Sequence, residues 1–350
     1  MGVVRILIAV IFAMIAVPPA ASAPSDSAIL SKVPPKLLSE FGFFDDLGAQ
    51  KPAAGVTPFQ LNTALFSDGA LKRRFVYLPG GKAAIYDGAE AFDFPVGAAL
   101  IKTFAFPADF RKPDDNVRIV ETRVLLRQEA GWQAWAYAWN DAQTDATLKI
   151  AGAKVEIASV DRAGAPLAFT YAVPNKNQCK GCHAFNGEIV PLGPKARNLN
   201  GDLSFADGTQ NQLAHWVAAG MLEGAPAPAD AARAPDWRDA TALLEARARA
   251  WLDVNCAHCH RREGPASNSG LFLTFGEIDP VALGLGKRPV AAGKGTGGRA
   301  FDIQPGDPDG SILLYRVESV EPGIMMPELG RHLADPDAVL LLRAWIAGLR

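Results

Sequence analysis

Cysteine, histidine and methionine are scarce in this chain and unevenly placed. From Ile15 to Gln178 none of the three occurs. Copper and haem iron take nitrogen and sulfur ligands, so this absence argues against either metal being held by that stretch. Lysine and arginine number 35 against 37 aspartates and glutamates, a net charge of −2. There is no basic surplus to attract nucleic acid, and no such partner is expected. After Val17 no long apolar run occurs, so no membrane span is expected in the mature chain.

The first segment present is an address. Arg5 precedes an unbroken apolar run from Ile6 to Val17, twelve residues, which suits a signal-peptide core and is too short to span a bilayer. Pro18-Pro19 ends the run, and Ala20-Ala21-Ser22-Ala23 offers small residues for cleavage after Ser22 or after Ala23. No cysteine follows the cut, which excludes a lipoprotein anchor. Residues 1–23 are therefore read as a signal peptide and the protein as exported and periplasmic. A length of 350 residues with 49% hydrophobic content predicts two or three domains.

Residues 24–173 read as a β-rich N-terminal domain. Val117–Gln128 and Trp132–Trp139 flank Glu129-Ala130-Gly131, a hairpin signal. Shorter strands are predicted at 75–78, 99–106, 154–160 and 167–173. Trp135, Tyr137 and Trp139 alternate with alanines, so the three rings share one face. That face is either the core of a sandwich or a platform for a small ligand. Asn140, Asp141 and Asp145 follow, as a capped turn or as oxygen ligands for calcium. Beyond Pro174 the pattern turns helical. Helices are predicted at 210–219, at 240–254 with Asp239 as N-cap, and after Asp335 with Pro336 at N1.

All four cysteines lie in Gln178-Cys179-Lys180-Gly181-Cys182-His183 and Asn255-Cys256-Ala257-His258-Cys259-His260, with Cys256 77 residues after Cys179. Cys-x-x-Cys-His is the haem c attachment pattern. Two intervening residues bring the thiols about one helical turn apart, to meet the two vinyl groups of haem, and the next histidine points at the iron. Two covalently bound haem c groups are expected: one on Cys179 and Cys182 with His183 on the iron, the other on Cys256 and Cys259 with His260. Two disulfides, a redox dithiol or a zinc site compete with this reading. None of them needs a histidine after the second cysteine, still less twice. His258, inside its own attachment loop, is expected at the surface. Met221 and His215 are the nearest sixth ligands for the first iron. Six residues apart on one helix, they point about 120° apart, so one iron takes only one of them. Met221 continues the apolar row of Leu213 and Val217 and is preferred. Gly220 as the residue ending that helix would instead make Met221 a contact on Trp216. Lys176, Lys180, Arg261 and Arg262 flank the motifs, either solvated or steering an acidic partner.

The segment from the 240–254 helix into the second motif, with Gly264-Pro265 and Met326-Pro327-Glu328-Leu329-Gly330 before the last helix, resembles class I cytochrome c. The resemblance implies Met326 as sixth ligand of the second iron, with Met325 as its rival. It also implies that the carbonyls of Pro194 and Pro265 accept the ring N–H of His183 and His260. The whole chain is similar to a bacterial family of exported di-haem c-type cytochromes with a β-rich N-terminal region. Leu61-Asn62-Thr63, Phe66-Ser67-Asp68, Tyr77-Leu78-Pro79, Trp139-Asn140-Asp141 and Pro174 to Gln178 carry that likeness. The expected fold class is α+β: the β-rich domain followed by two small α-helical cytochrome c-like haem domains, 174–235 and 236–350.

The expected function is electron transfer between a periplasmic dehydrogenase and a terminal acceptor, without catalysis. A di-haem peroxidase with an open first iron, or a ligand-sensing haem adaptor, are the alternatives. Acid–acetone extraction should leave haem on the chain, and the intact mass should exceed that of the processed polypeptide by two haems. A mass showing only the loss of disulfide hydrogens contradicts the motif reading.

Overall fold

The computed structural model describes residues 23–350. The expected signal segment lies outside them, apart from Ala23. A six-stranded antiparallel sheet runs in the spatial order Val56–Phe59, Leu71–Tyr77, Ala99–Pro107, Val117–Gln128, Gly131–Trp139 and Ala146–Leu148. The central hairpin turns through Glu129 and Ala130, since Gln128 pairs with Gly131. Gly131 takes φ 110° there, a value open to residues without a Cβ. Trp135, Tyr137 and Trp139 do share a face, and they bury it with Phe75, Ile101, Val124 and Leu126. The aromatic stripe is core. The Ala153–Val160 and Pro166–Val173 strands pair as a separate hairpin, whose Ile157 and Tyr171 cover Phe104 and Phe106 on the opposite face. Asn140 Oδ1 accepts the Thr144 N–H, and Asp145 accepts from Ser39 and Ala146. This is a capped turn.

Two small helical haem domains do not follow the sheet. The chain is β-rich, with 20% helix in seven α-helices and three short 3-10 helices among the described residues. The 174–235 stretch is no independent helical unit. Its Lys176–His183 helix packs on the Gly131–Trp139 strand. Its Leu222–Glu223 strand pairs in parallel with Ala84–Ile85. Ala196, Leu199, Leu213 and Trp216 share one apolar cluster with Phe59, Val76 and Phe92. The physical reason is length: Gln212–Ala218 has seven residues, too few to close a core, so its apolar face is buried on the sheet. That face is Leu213 and Trp216, whereas Val217 is 46% exposed.

In the last third, the helix starts at Leu244, later than predicted, because Asp239 accepts from both Thr241 N–H and Oγ and caps a turn instead. Leu244–Asn255 packs on Pro336–Gly348, burying Trp251, Leu252, Leu342, Trp345 and Ile346 together. Asp335 caps the final helix as expected. The segment between these helices is largely turns and short 3-10 pieces.

Polar ties join this part to the sheet. Asn62 Nδ2 donates to the carbonyls of Arg197, Asn200 and Ala234. Thr63 donates to the Pro235 carbonyl. The buried Asp68 carboxylate accepts the N–H groups of His332 and Leu333 at 2.6 and 2.7 Å. Arg197 and Asp253 form two parallel hydrogen bonds of 2.9 Å, both side chains buried. Removing one partner leaves a buried charge alone, so Asp253→Ala should destabilise the fold by about 3–5 kcal/mol in urea unfolding. The double variant Arg197→Met/Asp253→Leu should recover much of that loss. A cost for Asp253→Ala near that of a surface substitution contradicts the assignment.

Candidate functional site

The first motif occupies the Lys176–His183 helix, opened by Asn175 and Gln178 in reciprocal capping bonds. Cys179 and Cys182 sit three residues apart on one face. The short strands Ala184–Phe185 and Glu188–Ile189 fold the chain back, and this return places the Val190 carbonyl 2.7 Å from His183 Nδ1. The bond holds the proton on Nδ1 and leaves the Nε2 lone pair free. Pro194 does not take that role. Its carbonyl accepts the Phe92 N–H at 3.1 Å.

The second motif follows directly from the Leu244–Asn255 helix. His260 Nδ1 lies 3.3 Å from Ser269 Oγ, which itself donates to the Ala266 carbonyl. The expected Pro265 carbonyl is replaced by a serine hydroxyl, because the short 3-10 turn Ser267–Ser269 carries Ser269 up to the ring. Gly264 is needed for close approach: a Cβ there would stand 2.4 Å from the Cys259 carbonyl oxygen.

The two motifs touch. Cys259 Sγ lies 4.0 Å from the Gly181 carbonyl oxygen, and Leu329 of the Met-Pro loop reaches within 3.8 Å of where a Gly181 Cβ would be. Beside this junction opens a cleft of about 320 Å³, lined by Cys179, Cys182, His183, His258, Met325 and Met326 among others. That volume falls at the lower end of the range of about 300–1,000 Å³ common to cofactor sites. Met326 N–H donates to the Arg316 carbonyl, and Arg331 donates to the Met326 carbonyl. Arg316 also acts electrostatically on His260, so Met326 and the second motif occupy the same neighbourhood.

Met221 and His215 are not brought to the cleft. Met221 N–H bonds the Trp216 carbonyl after Gly220, its side chain packs on the Trp216 cluster, and Thr57 donates to its sulfur at 3.4 Å. His215 stacks on Phe205, with ring centroids 3.7 Å apart. His258 moves the other way. Expected at the surface, it lines the cleft, and its Nδ1 is buried without a hydrogen-bond partner. His332 also reaches the cleft, with its Nδ1 3.5 Å from Asp68 and the side chain 48% exposed. Of the cations flanking the motifs, Lys176 lies over the Trp135 ring, Arg261 is held by Glu90 and Glu263, and Arg262 pairs with Glu277.

One wall of the cleft is cationic. Arg74, Lys102 and Arg123 are direct cross-strand neighbours on one face of the sheet and all line the cleft. Glu121 pairs with Arg123 at 2.6 Å, while Arg74 Nη2 is buried with no partner. Burial and then Arg74 push the Lys102 ammonium well below the usual lysine range. Three adjacent cations repel one another across strands, so the wall is suited to carboxylates of a bound group. Burial first, and after it the cations nearby, push His183 down to about 4, although the Val190 bond opposes this. His258 is likewise pushed down to about 4, by burial and then by His260. Both imidazoles are neutral at pH 7, the form that ligates iron. Burial raises Cys256 and Cys259 to about 12 and raises Cys179 and Cys182 as well. A redox dithiol works through a lowered thiol pKa, the opposite shift. The four thiols are unbridged, and among the described residues no three His, Cys, Asp or Glu side chains converge to hold a metal ion by themselves. An iron already held by four porphyrin nitrogens needs only axial ligands, and the donors here suit that chemistry.

Comparison with family models, with curated proteins and with solved structures returned no match to this chain. No helix among the described residues is long and apolar enough to cross a membrane.

Glu90 fastens the cleft rim through Lys195 and Arg261, at 2.9 and 2.7 Å. Partial burial favours its neutral form, but the hydrogen bonds from Arg261 and the charge of Lys195 outweigh it and hold Glu90 down to about 2. The unfolded carboxyl binds its proton near pH 4.5. The stabilisation is therefore complete above that pH and is lost as pH falls from 4.5 towards 2. Glu90→Gln should flatten the fall in stability across this window, measured by urea unfolding at stepped pH. An unchanged pH profile contradicts the assignment.

Proposed function

We propose that the chain is an exported, periplasmic di-haem c-type cytochrome that carries electrons between a redox enzyme, such as a dehydrogenase, and an acceptor protein. The observation that carries this reading is the meeting of two distant Cys-x-x-Cys-His segments beside one cleft, with Cys259 Sγ 4.0 Å from the Gly181 carbonyl oxygen. Two attachment motifs in contact would keep two redox centres within short electron-transfer range.

When bound, each haem supplies a one-electron iron couple, and the chain supplies its surroundings. Cys179, Cys182, Cys256 and Cys259 would hold the two groups. His183 and His260 would ligate through Nε2, each ring oriented by its Nδ1 bond to Val190 or to Ser269. A hydrogen bond to Nδ1 makes the imidazole a stronger donor. Met326 is proposed for the second iron, where a thioether opposite histidine raises the potential. Arg74 and Lys102 would face haem carboxylates from the wall of the cleft.

Met326→Ala should abolish the methionine-to-iron charge-transfer band and lower one of the two midpoint potentials in a spectroelectrochemical titration. Loss of that band in Met325→Ala, with Met326→Ala unaffected, would move the assignment to Met325. Rapid turnover of hydrogen peroxide by the wild-type protein contradicts the electron-carrier reading.

A further inference from the structure

We infer that His258, through Nε2, is the sixth ligand of the first haem iron, opposite His183, so that the second motif closes the first haem across the contact between them. The inference rests on the haem reading proposed above. Three observations carry it. The first is position: His258 lines the same cleft as Cys179, Cys182 and His183, whereas Cys256, Cys259 and His260 do not. Within one short loop, then, alternate side chains serve opposite sides. His260 turns to Ser269, and His258 turns to the first motif. The second is orientation: His258 Nδ1 is buried, so Nε2 is the ring nitrogen left to face a bound group. The third is elimination on geometry. Met221 and His215 are engaged elsewhere, by Thr57 and Phe205. Met325 and Met326 line the cleft as well; Met326 is proposed for the second iron, and Met325 is the rival that the test separates. His332 is half-exposed on Asp68.

Two imidazoles on one iron give a lower potential than histidine with methionine. The two haems would then differ in potential, and electrons would settle on the second.

The test uses the full haem-loaded protein with His258→Ala and His258→Met, read by intact mass, by electron paramagnetic resonance of the oxidised form and by carbon monoxide added to the reduced form. Both variants should carry two haems and keep the methionine-to-iron band of the second. In His258→Ala one low-spin signal should become high-spin, the reduced protein should bind one carbon monoxide, and added imidazole should restore the low-spin signal. In His258→Met the lower of the two potentials should rise. Two haems with unchanged signals and potentials in both variants would overturn the inference and leave the haem reading standing. So would the same spin change in Met325→Leu, Met221→Leu or His332→Ala, with His258→Ala unaffected. A chain whose mass contains no haem overturns the haem reading, and the inference with it.

Discussion

Arg197 and Asp253 meet through two parallel hydrogen bonds away from water, and the relation between the two motifs depends on that pair. Arg197 belongs to the segment that follows the first motif. Asp253 lies on the helix that runs straight into the second. A bidentate guanidinium–carboxylate contact fixes both distance and orientation. Arg197 also donates to the Ala89 carbonyl and Asp253 also accepts the Phe275 N–H, so neither charge is left short of partners. Asn62, Thr63 and Asp68 extend the same clamp from the sheet side. The motifs therefore touch because the ground around them is locked, while their own cysteines contribute no bridge.

The β sheet serves the site as well as the core. One face is apolar and closes on Phe41, Phe43 and the Trp135–Tyr137–Trp139 stripe. The other carries Arg74, Lys102 and Arg123 side by side towards the cleft. Like charges in adjacent strands are unfavourable, and placing them under a half-closed roof raises the cost. Phe104 softens it, with Lys102 and Arg123 at 4.8 and 4.3 Å from its ring centroid. Glu121 neutralises one cation and Tyr171 bonds the same carboxylate. The remaining positive charge gives an anionic group a reason to sit there. The neutral His183 and His258 rings lie against this wall, where burial and nearby cations suppress their protonation.

Much of this was legible in the sequence, and the rest was not for identifiable reasons. The hairpin at Glu129-Ala130 and the final helix behind Asp335-Pro336 carry local signals, and both form as read. Asn62 and Asp68 stood out as motif residues, but their partners lie more than a hundred positions away, beyond any local pattern. The two helical domains were inferred from motifs that say how a haem is attached and nothing about what surrounds it. The 174–235 stretch has short elements whose apolar residues complete the sheet's own core, and that dependence is tertiary. Pro194 and Pro265 were assigned through the resemblance to class I cytochrome c, whereas Val190 and Ser269 reach the imidazoles through short turns with no composition signal. His258 was set aside because it cannot serve its own haem. The fold turns it into the cleft beside the first motif, and the available hint was the shortness of the histidine list.

Iron anomalous scattering from crystals of the purified, exported protein tests the central claim most directly. The account predicts two iron peaks, one beside Nε2 of His183 in the cleft and one beside Nε2 of His260, with continuous density from each ring to its pair of cysteine sulfurs. Four thiols joined as disulfides, or gathered on a zinc ion with no iron peak at either histidine, would contradict it.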